Sequence, residues 1–267
     1  MSFTQRTITY RSIDSIDLQM DIYAPEGAGT GRPGVLFFHG GGWSGGNRTQ
    51  FTWHAQQLAE RGYVAATASY RLCKAGPTYP AAFDDCQAAV RWLRKNGAEL
   101  GLDPMRLGVF GSSAGGHLVA LLGVRETRDD SDPTLQGVSS RPQCVVDIHG
   151  VHHLPSLHFP GIIKASATFI GGDVLTMPDA WADASPLEFI DARTPPTMLV
   201  HAPDDPTVPY DQSVRFAAAL AEHHCHFTFY PCPGAGHGFI YDPGNPWTRR
   251  IWPLAVMWLE YWLTPRD

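Results

Sequence analysis

The sequence predicts an α/β fold: one domain built on a mostly parallel, doubly wound sheet. Three observations lead there. Apolar runs such as VLFFHG, CVVDIHG and TMLVHAP are continuous rather than alternating, as in strands buried on both faces. Helix-patterned segments of ten or more residues separate most of these runs, which demands crossover connections. The opening segments ITYRSI and LQMDIYAP read instead as an antiparallel hairpin.

Each element follows in order. The Gly/Pro-rich stretch EGAGTGRPG separates the hairpin from VLFFHG, the first buried strand. A helix from about Gln50 to Arg61 precedes the strand YVAATASY, and AFDDCQAAVRWLRKNGAELG is the next helix. The strand RLGVFGSS then runs into a helix that starts within GSSAGGHLVALLG. After CVVDIHG an irregular insert occupies about residues 150–186 and is expected to act as a short lid. The chain closes with TMLVHAP, a helix near Ser213–His223, the strand FTFYP and a helix IWPLAVMWLEYWL, whose Trp252, Trp258 and Trp262 fit a buried face. No composition break divides the 267 residues, so residues 1–267 are read as a single domain.

Composition excludes several classes of function. A net charge of −6, with 17% charged residues and no basic run, argues against nucleic acid or an anionic membrane as partner. A small neutral or weakly charged substrate fits better. No stretch approaches the roughly 20 apolar residues of a membrane span. The first 23 residues alternate polar with apolar instead of forming a signal sequence, so the protein is expected to be soluble and cytoplasmic. Five scattered cysteines without CxxC spacing indicate neither a zinc ribbon nor a disulfide scaffold.

Active sites of doubly wound sheets lie beyond the carboxyl ends of the strands, and four strand-end loops here carry chemistry. Gly111-Ser112-Ser113-Ala114-Gly115 is a G-x-S-x-G between strand and helix, with Ser113 as the nucleophile and Ser112 at the variable position. The same glycines equally suit a close packing contact of strand and helix. His39-Gly40-Gly41-Gly42-Trp43 frees successive backbone N–H groups to aim at one point; Gly41 and Gly42, with the N–H of Ala114, are the expected oxyanion donors. Trp43 is expected to shape the substrate pocket, as is Phe239. Adjacent Asp204 and Asp205 follow TMLVHAP; one can orient a histidine and the other can cap the next helix. His237, flanked by Gly236 and Gly238, can enter a crowded site as base. Ser, Asp, His is the chain order of α/β-hydrolases.

Other clusters have plainer readings. Asp147 in CVVDIHG is an alternative acid, though its strand precedes the usual acid-bearing one. His223-His224-Cys225-His226 sits at a helix end, where neighbouring side chains do not converge on one ion, so no metal is assigned. His152, His153 and His158 in the insert are expected to line the pocket.

HGGGW, YPAAFDDCQAAVRWLRKNGAELGLDPMRLGVFGSSAGGHL, SPLEFIDARTPPTMLVHAPDDPTVP and GAGHGF resemble the α/β-hydrolase esterases of the hormone-sensitive-lipase-like and feruloyl-esterase-like (BD-FAE) group. The resemblance runs from about Leu18 to the last helix and is weakest over residues 151–184. It implies a single α/β-hydrolase domain and, through the pattern H-G-x-x-D-x-x-V-P laid on His201 to Pro209, the acid at Asp205. Ala202 stands where that pattern has glycine. It implies a serine carboxylesterase that takes small-molecule esters with short or aromatic acyl groups, acetylated or feruloylated carbohydrate among them, and no cofactor. An amidase, in particular an arylformamidase, or a peptidase would use the same three residues. A hydrolase-fold binding protein is the non-enzyme alternative, in which a member of the triad is typically lost.

Overall fold

The computed structural model describes residues 1–13, 15–27 and 29–264; Asp14 of the opening segment and Ala28 of the Gly/Pro-rich stretch lie outside the described residues. Eight strands make one sheet: β1 (Phe3–Ile13), β2 (Ile16–Pro25), β3 (Arg32–Phe38), β4 (Val64–Ala68), β5 (Leu102–Ser112), β6 (Cys144–Ile148), β7 (Thr197–His201) and β8 (Phe227–Pro231). Their order is β1-β2-β4-β3-β5-β6-β7-β8. The first two pair antiparallel as the predicted hairpin, β2 also runs antiparallel to β4, and every later pairing is parallel.

Among the described residues there are seven α-helices: α1 (Thr52–Ala59), α2 (Ala81–Asn96), α3 (Ala114–Val124), α4 (Pro160–Ile170), α5 (Pro178–Asp183), α6 (Asp211–Glu222) and α7 (Pro246–Leu263). Alternation along β3 places α1 and α7 on one face and α2 and α3 on the other. Val35 and Phe37 pack with Leu58 of α1 and with Trp252 and Leu259 of α7. Leu36 and Phe38 point the other way, toward Phe83 and Leu93 of α2 and Leu118 and Leu122 of α3. Burying each such large side chain contributes roughly 1.5–3 kcal/mol. The two-sided burial is why the parallel strands read as unbroken apolar runs.

Two expectations need correction. The last helix begins at Pro246, not Ile251, because the Asn245 side chain accepts the Trp247 N–H and proline suits the first helical turn. The 150–186 insert is largely helical rather than irregular. Pro160 and Pro178 open α4 and α5, and Gly171, at φ +101°, ends α4 in the left-handed conformation.

The topology fixes where chemistry can gather. Strand β4 lies on one side of β3 and β5 on the other, so the chain reverses direction across the sheet between them. The loops after β3 and β5 therefore open onto a crevice at the switch point. HGGGW leaves β3 and GSSAG leaves β5.

Candidate active site

Ser113 occupies the single residue between β5 and α3, with φ 57° and ψ −120°. That conformation is strained for a residue with a Cβ, and it persists only where the surroundings enforce it. Here they do. A Cβ on Gly111 would collide with the Gly115 carbonyl, and one on Gly115 with the Phe38 carbonyl. The Ser113 N–H donates to the Ile148 carbonyl at 2.9 Å, which pins the turn to β6. Close approach of strand and helix, the packing reading of these glycines, thus holds Ser113 at the positive end of α3.

His237 meets Ser113 from the loop after β8. Its Nε2 lies 2.9 Å from Ser113 Oγ, and its Nδ1 donates to Asp205 Oδ2 at 2.7 Å. The other Asp205 oxygen accepts the N–H groups of Thr207 (2.7 Å) and Val208 (3.0 Å). Burial works against ionisation of this carboxyl. Hydrogen bonds from His201 and His237, the charge on His237 and the Val208 N–H outweigh it and hold Asp205 well below the usual carboxylate range. His201 Nε2 sits 3.5 Å from the same oxygen that His237 uses. Asp204 caps no helix; its Oδ1 accepts the Gly234 N–H at 2.8 Å and so ties down the loop that carries His237. The sequence-predicted Ser113, Asp205 and His237 are thus one hydrogen-bonded chain.

The loop after β3 turns through positive φ at Gly41 (+120°), Gly42 (+57°) and Trp43 (+57°). Gly40 N–H is taken by Tyr241 Oη at 2.7 Å, while no acceptor among the described residues takes the N–H of Gly41 or Gly42. His39 anchors the base of the loop. Its Nδ1–H donates to the Gly40 carbonyl at 2.7 Å and its ring stacks on Tyr70, whose hydroxyl donates to the His39 carbonyl. Burial lowers the His39 pKa to about 4, partly offset by the Gly40 bond, so the ring is neutral.

Gly41, Gly42, Ser113 and His237 open on a cavity of about 350 Å³, closed by Gln50, Thr207, Tyr241 and, from α4, Gly161, Ile162 and Ala165. A larger hollow of about 640 Å³ lies beside the amino end of β5, around Arg6, Glu26 and Glu99, away from any of these groups. The smaller one holds the chemistry.

Several expected residues lie elsewhere. Trp43 does not face the cavity: it is fully buried, stacked on Phe169 and donating Nε1–H to His117 Nδ1 at 3.2 Å. The positive φ that lets the loop bend also turns its side chain inward. Phe239 is buried, its ring edge-on to that of His149, rather than lining the cavity. Asp147 binds His152 Nε2 (2.6 Å) and the Gly150 N–H (2.9 Å), with no contact to His237. His152 is stacked on Phe216, His153 faces Glu188, and His158 is exposed; none lines the cavity. His223 and His224 are exposed at the end of α6, and the Cys225 thiol donates to the Asp191 carbonyl. Among the described residues the metal-ligand atoms that gather within 4.8 Å belong to His149, Asp205 and His237. Two of these three are already bound to each other.

The sequence places the 150–186 insert over the site but does not show that its wall is helical, which of its residues face the cavity, or that Tyr241 joins them. A signal for the wall existed: Gly161 and Ala165, four residues apart, share a helix face that small residues leave open.

With this geometry in hand, comparison with known proteins is direct. The BD-FAE family model matches residues 20–220. Esterase LipC of Mycobacterium tuberculosis is 28% identical over 214 residues, covering 78% of this chain and 53% of LipC. Carboxylesterase NlhH of the same organism is 37% identical over 132 residues, covering 49% of this chain and 40% of NlhH. The chain spans about half the length of the curated relatives it matches. Butyrate-bound esterase 2 of Thermogutta terrifontis superposes with a TM-score of 0.84 at 27% identity, covering 98% of this chain and 96% of that one. A form of that esterase phosphorylated by paraoxon matches equally, at TM-score 0.84 and 28% identity. Three quarters of the chain falls within the family match, and the chain belongs to the BD-FAE family of α/β-hydrolases.

Proposed function

We propose that the protein is a serine carboxylic ester hydrolase that works through an acyl-enzyme. One observation carries this reading: Ser113 Oγ, His237 and Asp205 form a continuous chain at 2.9 and 2.7 Å beneath the unclaimed N–H groups of Gly41 and Gly42. His237 Nε2 takes the proton of Ser113 as its oxygen attacks the ester carbonyl. Asp205 fixes the tautomer of His237 and stabilises the imidazolium that forms. The N–H groups of Gly41, Gly42 and Ala114 stabilise the oxyanion, each worth about 3 kcal/mol of barrier. The alcohol leaves with the proton from His237, and water repeats the cycle on the acyl group.

The cavity of about 350 Å³, walled by Ile162 and Ala165, suits a short or aromatic acyl group on a small-molecule ester. In the same reading residues 1–267 form one domain, with the 150–186 segment as lid. The protein is also assigned to the cytoplasm, where its five unpaired thiols match a reducing compartment. No helix among the described residues is long and apolar enough to cross a membrane.

The test is an assay of p-nitrophenyl acetate beside N-formylkynurenine and an aminoacyl anilide, with paraoxon labelling of the serine. The expected result is ester turnover above both amides, with turnover and labelling lost in Ser113→Ala. Ester turnover retained in Ser113→Ala would overturn the assignment, and faster turnover of either amide would replace esterase by amidase or peptidase.

A further inference from the structure

His149 follows β6 and no step above uses it. It is fully buried, yet φ is +42°, a conformation costly to any side chain. Its backbone N–H donates to the Val200 carbonyl at 2.7 Å, which holds it there. The ring centroid lies 4.3 Å from that of His237, with the planes tilted 39°. Phe239 meets the ring edge-on at 5.8 Å and His201 at 6.1 Å.

Polar groups lead to this imidazole from the oxyanion loop. Gly40 N–H donates to Tyr241 Oη at 2.7 Å, and the Ser112 side chain lies beside that hydroxyl. Ser112 Oγ in turn lies 2.9 Å from His149 Nε2. The His149 Nδ1 is buried and has no hydrogen-bond partner among the described residues.

We propose that His149 is a positioning residue for His237, and that Ser112 holds it in place beside the hydroxyl of Tyr241. The proposal rests on the esterase reading and deepens it. His149 covers one face of the base, so the His237 ring cannot swing away from Ser113 while Asp205 holds its other nitrogen. When His237 becomes an imidazolium, the face it meets is an uncharged π system, which attracts a cation. Burial, then the neighbouring His237 and His201, keep His149 neutral against the pull of Asp205. Ser112, at the variable position of G-x-S-x-G, thereby acts through His149 rather than merely filling space.

The variant His149→Gly suits the positive φ and removes the ring. With p-nitrophenyl acetate, kcat is expected to fall about ten- to a hundredfold at nearly constant KM, because the base is misplaced rather than the substrate. Added imidazole should occupy the vacated space and restore part of kcat. Ser112→Ala, which leaves the backbone alone, should lower kcat by about threefold or more and broaden the far-downfield proton resonance of His237 Nδ1–H through faster exchange. Unchanged kcat and an unchanged resonance in Ser112→Ala, or a loss in His149→Gly that imidazole does not touch, would overturn the proposal. Either result with an inactive Ser113→Ala would leave the esterase reading standing, whereas an active Ser113→Ala would remove both.

Discussion

Trp43 and Phe169 stack with ring centroids 4.7 Å apart and planes 10° from parallel. The contact joins the loop that presents Gly41 and Gly42 to helix α4, which walls the cavity on the other side. Trp43→Ala should cost about 3–5 kcal/mol of stability, read as a lower urea midpoint, and Trp43→Phe distinctly less. Equal losses in the two variants would mean that the indole hydrogen bond to His117, not the stack, holds the loop.

The two aspartates after β7 divide their work, and conservative variants separate them. Asp205→Asn keeps the shape but favours the wrong His237 tautomer, so kcat is expected to fall by about 10⁴. Asp204→Asn keeps an oxygen for the Gly234 N–H and should stay within about threefold of the parent. Steady-state kinetics on a p-nitrophenyl ester decide between them.

Small residues at the turn around Ser113 are a steric requirement. Gly115→Ala would drive a methyl group into the Phe38 carbonyl, backbone against backbone. A loss of about 3 kcal/mol or more is expected, with no ester turnover in whatever folds. Differential scanning calorimetry and activity on one sample test it.

Acid should unfold this protein through its histidines before its carboxylates. Burial lowers the pKa of His39 to about 4, of His54 to about 3 and of His117 to about 4, with only partial offset from backbone hydrogen bonds. In the unfolded chain a histidine titrates near 6.5, so below that pH the unfolded state binds protons that the folded state refuses. Stability is full above pH 6.5 and falls toward pH 4, by about 4 kcal/mol per pH unit when all three refuse a proton. His54 lies among the rings of Phe51, Phe110 and Trp252, so His54→Phe should remove about one proton from that slope. Urea midpoints at pH 7, 6 and 5 measure both effects; midpoints that do not move would contradict the account.

Ala165 faces Gly42 across the cavity, its Cβ 3.9 Å from where a Cβ on that glycine would stand. Ala165→Leu should leave p-nitrophenyl acetate nearly unaffected and reduce kcat/KM for the hexanoate about tenfold or more. If both esters lose equally, α4 packs against the alcohol side instead.

The sheet and its helices were legible because two-sided burial writes unbroken apolar runs, and crossovers leave room for helical periodicity between them. Ser113, Asp205 and His237 were legible because each follows a strand end, where the fold concentrates chemistry. Trp43 and Phe239 were not. Each neighbours a site residue in the chain, but the direction of a side chain depends on local φ, and at Trp43 a value of +57° sends it to the core. His149 stayed hidden for another reason. Register pairs Ser112 with Ile148, and only that alignment sets Ser112 beside the next residue. Pairing across strands is not written in either strand alone.

Helix α4 hangs between β6 and β7 and adds no strand to the sheet. Ser113, Asp205 and His237 are fixed by strand ends; the wall facing them comes from a segment outside the sheet. Substitutions at the cavity-facing Gly161 and Ala165 therefore reshape the pocket while Ser113, Asp205 and His237 stay where they are.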